Sequence, residues 1–307
     1  MNKYNFIFPG QGSQSVGMSS SILNMDISKK FFNQTNELLG YDLLDICIKG
    51  PNELLTKTKN TQPAIFTISI IIDSLLKDNG VSPNSVAGHS LGEYSALVSS
   101  EVISFKNAIE LVILRSMEME KANNRSLGKM AAILNSTSED IHNTLDNIDG
   151  VVVANYNTEK QIVISGEAAS VDLAIKKIST ISTRIKCIKL NVSGAFHSPL
   201  MKFARVPLSN AINSLNFDNA KVPIYQNINA LPTQDSSEIK KNLILQLENP
   251  VKWSDTILNI IRNSSNKEFI ECGPGAVLTG MNKRIERNIK TYSINSNKNL
   301  DELCIKS

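Results

Sequence analysis

The stretch SVAGHSLGEYSALV, residues 85 to 98, sets a serine between two glycines, after a short apolar run and before a helix-like one. Glycine on both sides suits a sharp strand-to-helix turn, where side chains clash and the following helix aims its first amides at the serine hydroxyl. Strand, tight turn and helix in that order is how an α/β sheet is built. The bare pattern G-x-S-x-G is weak, carried by chance in roughly one chain in ten of this length. A glycine turn whose serine caps the helix explains the stretch about as well.

Working outward, YNFIFPGQGSQ (residues 4–14) reads as a strand that breaks into a glycine-bearing loop. TQPAIFTISIIIDSLLKDNG (61–80) is too densely apolar for a surface helix and predicts a buried one, from near Pro63 to Gly80. FKNAIELVILRSMEMEKA (105–122) has apolar residues at helical spacing, with Arg115 in its middle. From Lys129 the rhythm becomes strand, helix, strand, strand, helix, strand, the split βαβ of a ferredoxin-like unit. The last of these strands is expected over RIKCIKLNVS. The expected organisation is therefore α/β, with a large body of residues 1–126 and 196–307 and a small inserted subdomain of residues 127–195.

Composition narrows the function. The chain has 307 residues, and its 32 Lys+Arg against 29 Asp+Glu leave a formal charge of +3 with no long basic block, so nucleic acid is not an expected partner. Four cysteines without a CxxC pair suggest neither a zinc site nor a disulfide framework, and reduced, mostly buried thiols are expected. No signal-peptide pattern or transmembrane-length apolar run is present, which points to the cytoplasm and away from the membrane.

If Ser90 is a nucleophile it needs a base, and there are only three histidines. His89 adjoins Ser90 and at such a turn points elsewhere, as a packing residue. His142, in SEDIHNTL, reads as a solvated helix residue. His197, in the glycine- and proline-flanked loop SGAFHSPLM, is the base candidate, with a capping role as the alternative. Arg115, on an apolar helix, must snorkel outward or meet an anion, and a structural salt bridge is the rival explanation. Asn155 and Asn157 fit a turn between two strands at least as well as a substrate contact.

The ordered segments FPGQGSQSVGM, GHSLGEYSAL, Arg115 opening RSMEM, KMAAIL, ANYNTEKQIVISG, GAFHSPLM, NPVKW and ECGPGAVLTG resemble the motifs of malonyl-CoA:acyl carrier protein transacylases. These form the acyltransferase family shared by fatty-acid and polyketide synthesis. The likeness runs from Phe6 to about Arg284, and eight motifs in one order are far more specific than any single one. It implies an α/β-hydrolase-like body with a ferredoxin-like subdomain and a cleft between them. It further implies Ser90 as nucleophile, His197 as its base, Arg115 as the partner of the malonyl carboxylate, and the Gln11 and Leu91 amides as an oxyanion hole. Gln246 resembles the residue whose backbone carbonyl orients the histidine, and Phe196 resembles the residue before the histidine in malonyl-selective members.

The implied activity is transfer of malonyl from malonyl-CoA to the phosphopantetheine thiol of acyl carrier protein, by a monomer with no metal or bound cofactor. The alternatives are a free-standing acyltransferase serving a polyketide synthase, a serine thioesterase or hydrolase, and a docking protein without catalysis. The chain departs from the family pattern at Ser116, usually Gly, at Phe203, usually Pro, and at Pro207 in what should be an early helical segment.

Overall fold

The computed structural model describes residues 3–125, 127–192 and 194–306, with side chains as far as Leu303. Ten strands are found among them: β1 (Lys3–Phe8), β2 (Ser82–Gly88), β3 (Gly128–Leu134), β4 (Val151–Thr158), β5 (Gln161–Glu167), β6 (Lys186–Lys189), β7 (Ile224–Tyr225), β8 (Pro232–Thr233), β9 (Glu268–Cys272) and β10 (Lys290–Ile294). They form a mixed α/β fold with two sheets, ordered β10-β9-β1-β2-β7-β8 and β4-β5-β3-β6. The larger sheet is parallel except for the β7–β8 pair, and the smaller is antiparallel throughout.

Successive side chains on a strand point to opposite faces, so a strand buried on both sides feeds two cores. β1 does so. Phe6 and Phe8 pack into the cluster around the helices Thr58–Asp78 and Phe105–Arg125, whereas Ile7 joins Trp253, Ile257 and Leu278 on the other face. In the small sheet Ala131 and Ile133 of β3 face its own helices, Ser138–Leu145 and Ala168–Ile181. Their neighbours Met130 and Ala132 join the core of the body, so this sheet is sandwiched between its helices and the larger unit. A second tie is a pair of backbone hydrogen bonds: the Tyr156 amide donates to the Val251 carbonyl and the Val251 amide to the Ala154 carbonyl, both at 2.9 Å.

Several expectations need correction. The long buried helix begins at Thr58, and Pro63 lies inside it. The expected strand at RIKCIKLNVS shortens to the four residues of β6, and its Ser193 lies outside the described residues. Asn155 and Asn157 are within β4, at register shifts of the β4–β5 ladder, and form no turn. β8 and β10 had no strand signal in the sequence reading. Pro207 sits inside the helix Lys202–Ser214, which continues through it. Cys47 and Cys272 are buried free thiols and Cys187 is a half-buried one; the Cys304 side chain lies outside the described residues. Among the described residues no helix is long and apolar enough to cross a membrane.

Candidate active site

The site is organised by the turn between β2 and the helix Gly92–Ser99. A Cβ on Gly88 would collide with the Gly92 backbone, and one on Gly92 with the Phe8 carbonyl, so both flanking glycines are required by close approach. Ser90 itself has φ 51°, in the left-handed region that costs a residue with a side chain roughly 1 kcal/mol or more. His197 is in the same region, with φ 55°. The two strained residues meet: Ser90 Oγ lies 2.7 Å from His197 Nε2.

The other ring nitrogen fixes the tautomer. His197 Nδ1 lies 3.1 Å from the Gln246 carbonyl and 3.0 Å from that of Asn249, and a carbonyl only accepts. Nδ1 therefore carries the proton, and Nε2 is left to accept from Ser90. The ring is 3% exposed, and burial, with the Arg115 charge next, pushes its pKa down to about 3. His197 is a neutral imidazole throughout the physiological range.

Arg115 projects from the helix Phe105–Arg125 and is 1% exposed. Its Nη1 donates to Gln62 Oε1 at 2.9 Å, and its Nη2 to Ser90 Oγ at 3.0 Å and to Gln246 Oε1 at 3.3 Å. Its Nε has no hydrogen-bond partner among the described residues. The guanidinium lies 5.6 Å from the centre of the Tyr94 ring. The expected rival, a salt bridge, is not what holds it, since every hydrogen-bond partner is neutral. A buried cation with a free Nε donor beside a serine–histidine pair has the chemistry to hold an anion.

Gln11 lies in the loop after β1, half-buried, with its side chain donating to Thr58 Oγ1 at 3.4 Å, and Leu91 is the N-cap of the helix Gly92–Ser99. Because Phe8 pairs with Gly88 across the β1–β2 ladder, the two segments leave the sheet side by side. His89 is tied at Nε2 to Asn157 Oδ1 at 2.9 Å and lies against Trp253, while exposed His142 pairs with the Tyr156 hydroxyl. The structure thus brings together Ser90, His197, Arg115 and Gln246, and keeps His142 away from them.

Sequence reasoning missed Gln62, Glu93, Asn227 and Asn249. Each is a polar residue in a segment read for another feature. Glu93 is a buried charge in a short helix of mostly apolar and small residues, which was the available signal, whereas Gln62 lies in the polar first turns of its helix and carried none. Burial raises the Glu93 carboxyl to about 7.

Residues 5–299 match the acyl transferase domain, and the chain belongs to that family. It is 39% identical over 299 residues to the malonyl CoA-acyl carrier protein transacylase of Bacillus subtilis, covering 96% of this chain and 94% of that one. The Synechocystis sp. malonyl-CoA:ACP transacylase crystal structure superposes with a TM-score of 0.91 at 36% identity, over 98% of this chain and 99% of that chain. A malonyl-transacylase solved in complex with a holo type II PKS acyl-carrier protein gives a TM-score of 0.94 at 34% identity, over the full length of both chains.

Proposed function

We propose that this acyltransferase moves the malonyl group from malonyl-CoA to the phosphopantetheine thiol of acyl carrier protein, supplying extender units for fatty-acid synthesis in the cytoplasm. His197 takes the Ser90 proton, Oγ attacks the thioester carbonyl, and the amides of Gln11 and Leu91 hold the oxyanion. Coenzyme A leaves with its thiol protonated by His197. The carrier thiol, deprotonated by His197, then attacks the malonyl-Ser90 ester; the ester bond breaks, and His197 returns the proton to Ser90 Oγ. The residues need no metal or bound cofactor for this chemistry.

The observation that carries the substrate class is the buried Arg115 guanidinium, whose open Nε edge lies on the same fork as the Nη2 that donates to Ser90 Oγ. A carboxylate on that edge would leave a carbonyl two bonds away within reach of Oγ. The small antiparallel sheet with its two helices is best named a ferredoxin-like subdomain of residues 127–195 on an α/β-hydrolase-like body of residues 1–126 and 196–307, its strand order β4-β5-β3-β6 supporting that name. For docking an acidic carrier the candidate cations are Lys189, Lys202, Arg205, Lys283 and Arg284; Lys189 and Arg205 are paired with Asp172 and Glu248, which makes Lys202, Lys283 and Arg284 the better ones.

Incubated with malonyl-CoA and holo acyl carrier protein, the enzyme should yield malonyl-carrier protein stoichiometrically with released coenzyme A. Coenzyme A release at the same rate without carrier protein would mean that water is the acceptor, and the chain would then be a thioesterase.

A further inference from the structure

The peptide planes of the elbow have an owner outside the elbow. Asn227, in the turn after β7 and 2% exposed, accepts from the Ser90 amide through Oδ1 at 2.7 Å and donates from Nδ2 to the Gly88 carbonyl at 2.6 Å. Its carboxamide thus bridges the two peptide groups on either side of His89. Asn227 is itself fastened to the helix the elbow opens: its amide donates to Glu93 Oε2 at 2.8 Å, while the neighbouring Gln226 Nε2 donates to Glu93 Oε1 at 3.1 Å. Asn242 Nδ2 completes the set on Gln226 Oε1 at 3.0 Å. The strand, the elbow and the helix are bolted together by buried amides and one carboxyl.

We propose that Asn227 is a positioning residue for acyl transfer, whose side chain holds Ser90 in its left-handed backbone conformation and so keeps Oγ on His197 Nε2. The inference rests on Ser90 being the nucleophile. A left-handed serine persists only where its surroundings over-determine it, and here Asn227 is the hydrogen-bond partner of the Ser90 amide among the described residues. Directing that amide at Asn227 also removes it from the oxyanion hole, leaving that task to the Gln11 and Leu91 amides. Loss of the clamp lets the His89–Ser90 peptide turn, and a displacement of about 1 Å at the reacting oxygen costs about a hundredfold in rate.

Asn227→Asp separates positioning from folding. The ionised aspartate still accepts from the Ser90 amide but repels the Gly88 carbonyl; its protonated form has one acceptor and one O–H donor, as the carboxamide does. Glu93, His89 and His197 are the titratable groups around this position, with Arg115 beyond Glu93; all are present in the wild type, so the variant is read as a ratio to wild type at each pH. The expected result at about pH 8 is a rate of Ser90 acylation lowered about a hundredfold, with KM for malonyl-CoA changed less than about threefold. The ratio should recover at least tenfold toward about pH 5.5. A folded variant that acylates at the wild-type rate, or whose loss is independent of pH, would overturn the proposal. Asn227→Ser, which cannot span both peptide groups, gives a second reading should the aspartate prevent folding: loss in kcat with KM preserved supports the clamp, and unchanged kcat refutes it. Absence of any adduct on wild-type Ser90 would instead remove the premise.

Discussion

Arg115→Ala loses malonyl transfer by about a hundredfold to a thousandfold, while acetyl transfer falls much less or rises. Removing one member of a buried charge pair costs about 3 to 5 kcal/mol, and each 1.4 kcal/mol is about a factor of ten. The guanidinium is held by Gln62, Gln246 and Ser90, none of them charged, so under the proposed function its interaction with an anion is left for the substrate carboxylate. An acetyl group has no carboxylate to lose. Arg115→Lys should rescue poorly, because an ammonium cannot span Gln62 and a two-point carboxylate grip together. Steady-state kinetics with malonyl-CoA and acetyl-CoA check this directly. Equal losses for both acyl groups in a folded variant would reduce Arg115 to a structural residue.

His197→Ala should slow acylation about a thousandfold or more, the range expected when a general base and its oriented hydrogen bond are lost together. The orienting groups are the carbonyls of Gln246 and Asn249, with no carboxylate behind the ring. Such neutral dipoles fix the tautomer without strongly raising basicity, which suits a thiol acceptor better than water. A pH consequence follows from the depressed pKa. The unfolded chain protonates this histidine near 6.5 and the folded one only near 3, so the unfolded state binds the extra proton between those values. Stability present above pH 6.5 is therefore lost as pH falls toward 3, and His197→Ala should flatten that part of the curve. Thermal melts of both proteins across the interval measure it; parallel curves would mean that the native ring is not held neutral.

What the sequence could disclose was local. The elbow announces itself because Gly88 and Gly92 are demanded by contacts within a few residues and by the adjoining end of β1, so their spacing is visible in one short window. Arg115 was legible because a charge in an apolar helix has few reasons to be there. The rest is set by chain segments far apart in sequence. Asn227 reaches Ser90 across 137 positions and Gln62 meets Arg115 across 53, and nothing in YQNIN or KNTQP marks either as facing the site. The helix start at Thr58 escaped because Pro63 is an ordinary first-turn residue, and tertiary burial on nearly every side overrode that local signal. β10 escaped because an edge strand of half-buried, mixed residues lacks the alternation that betrays a strand, and β8 because two residues are too few.

The most direct measurement is the mass of the enzyme after brief exposure to malonyl-CoA without acceptor, followed by peptide mapping of the adduct. The expected adduct is a single malonyl ester on Ser90, absent from Ser90→Ala, formed slowly by His197→Ala, and discharged by added holo acyl carrier protein. An adduct on Cys187 or any other residue, or full labelling of Ser90→Ala, would contradict Ser90 as nucleophile and return it to the role of a residue that turns the chain.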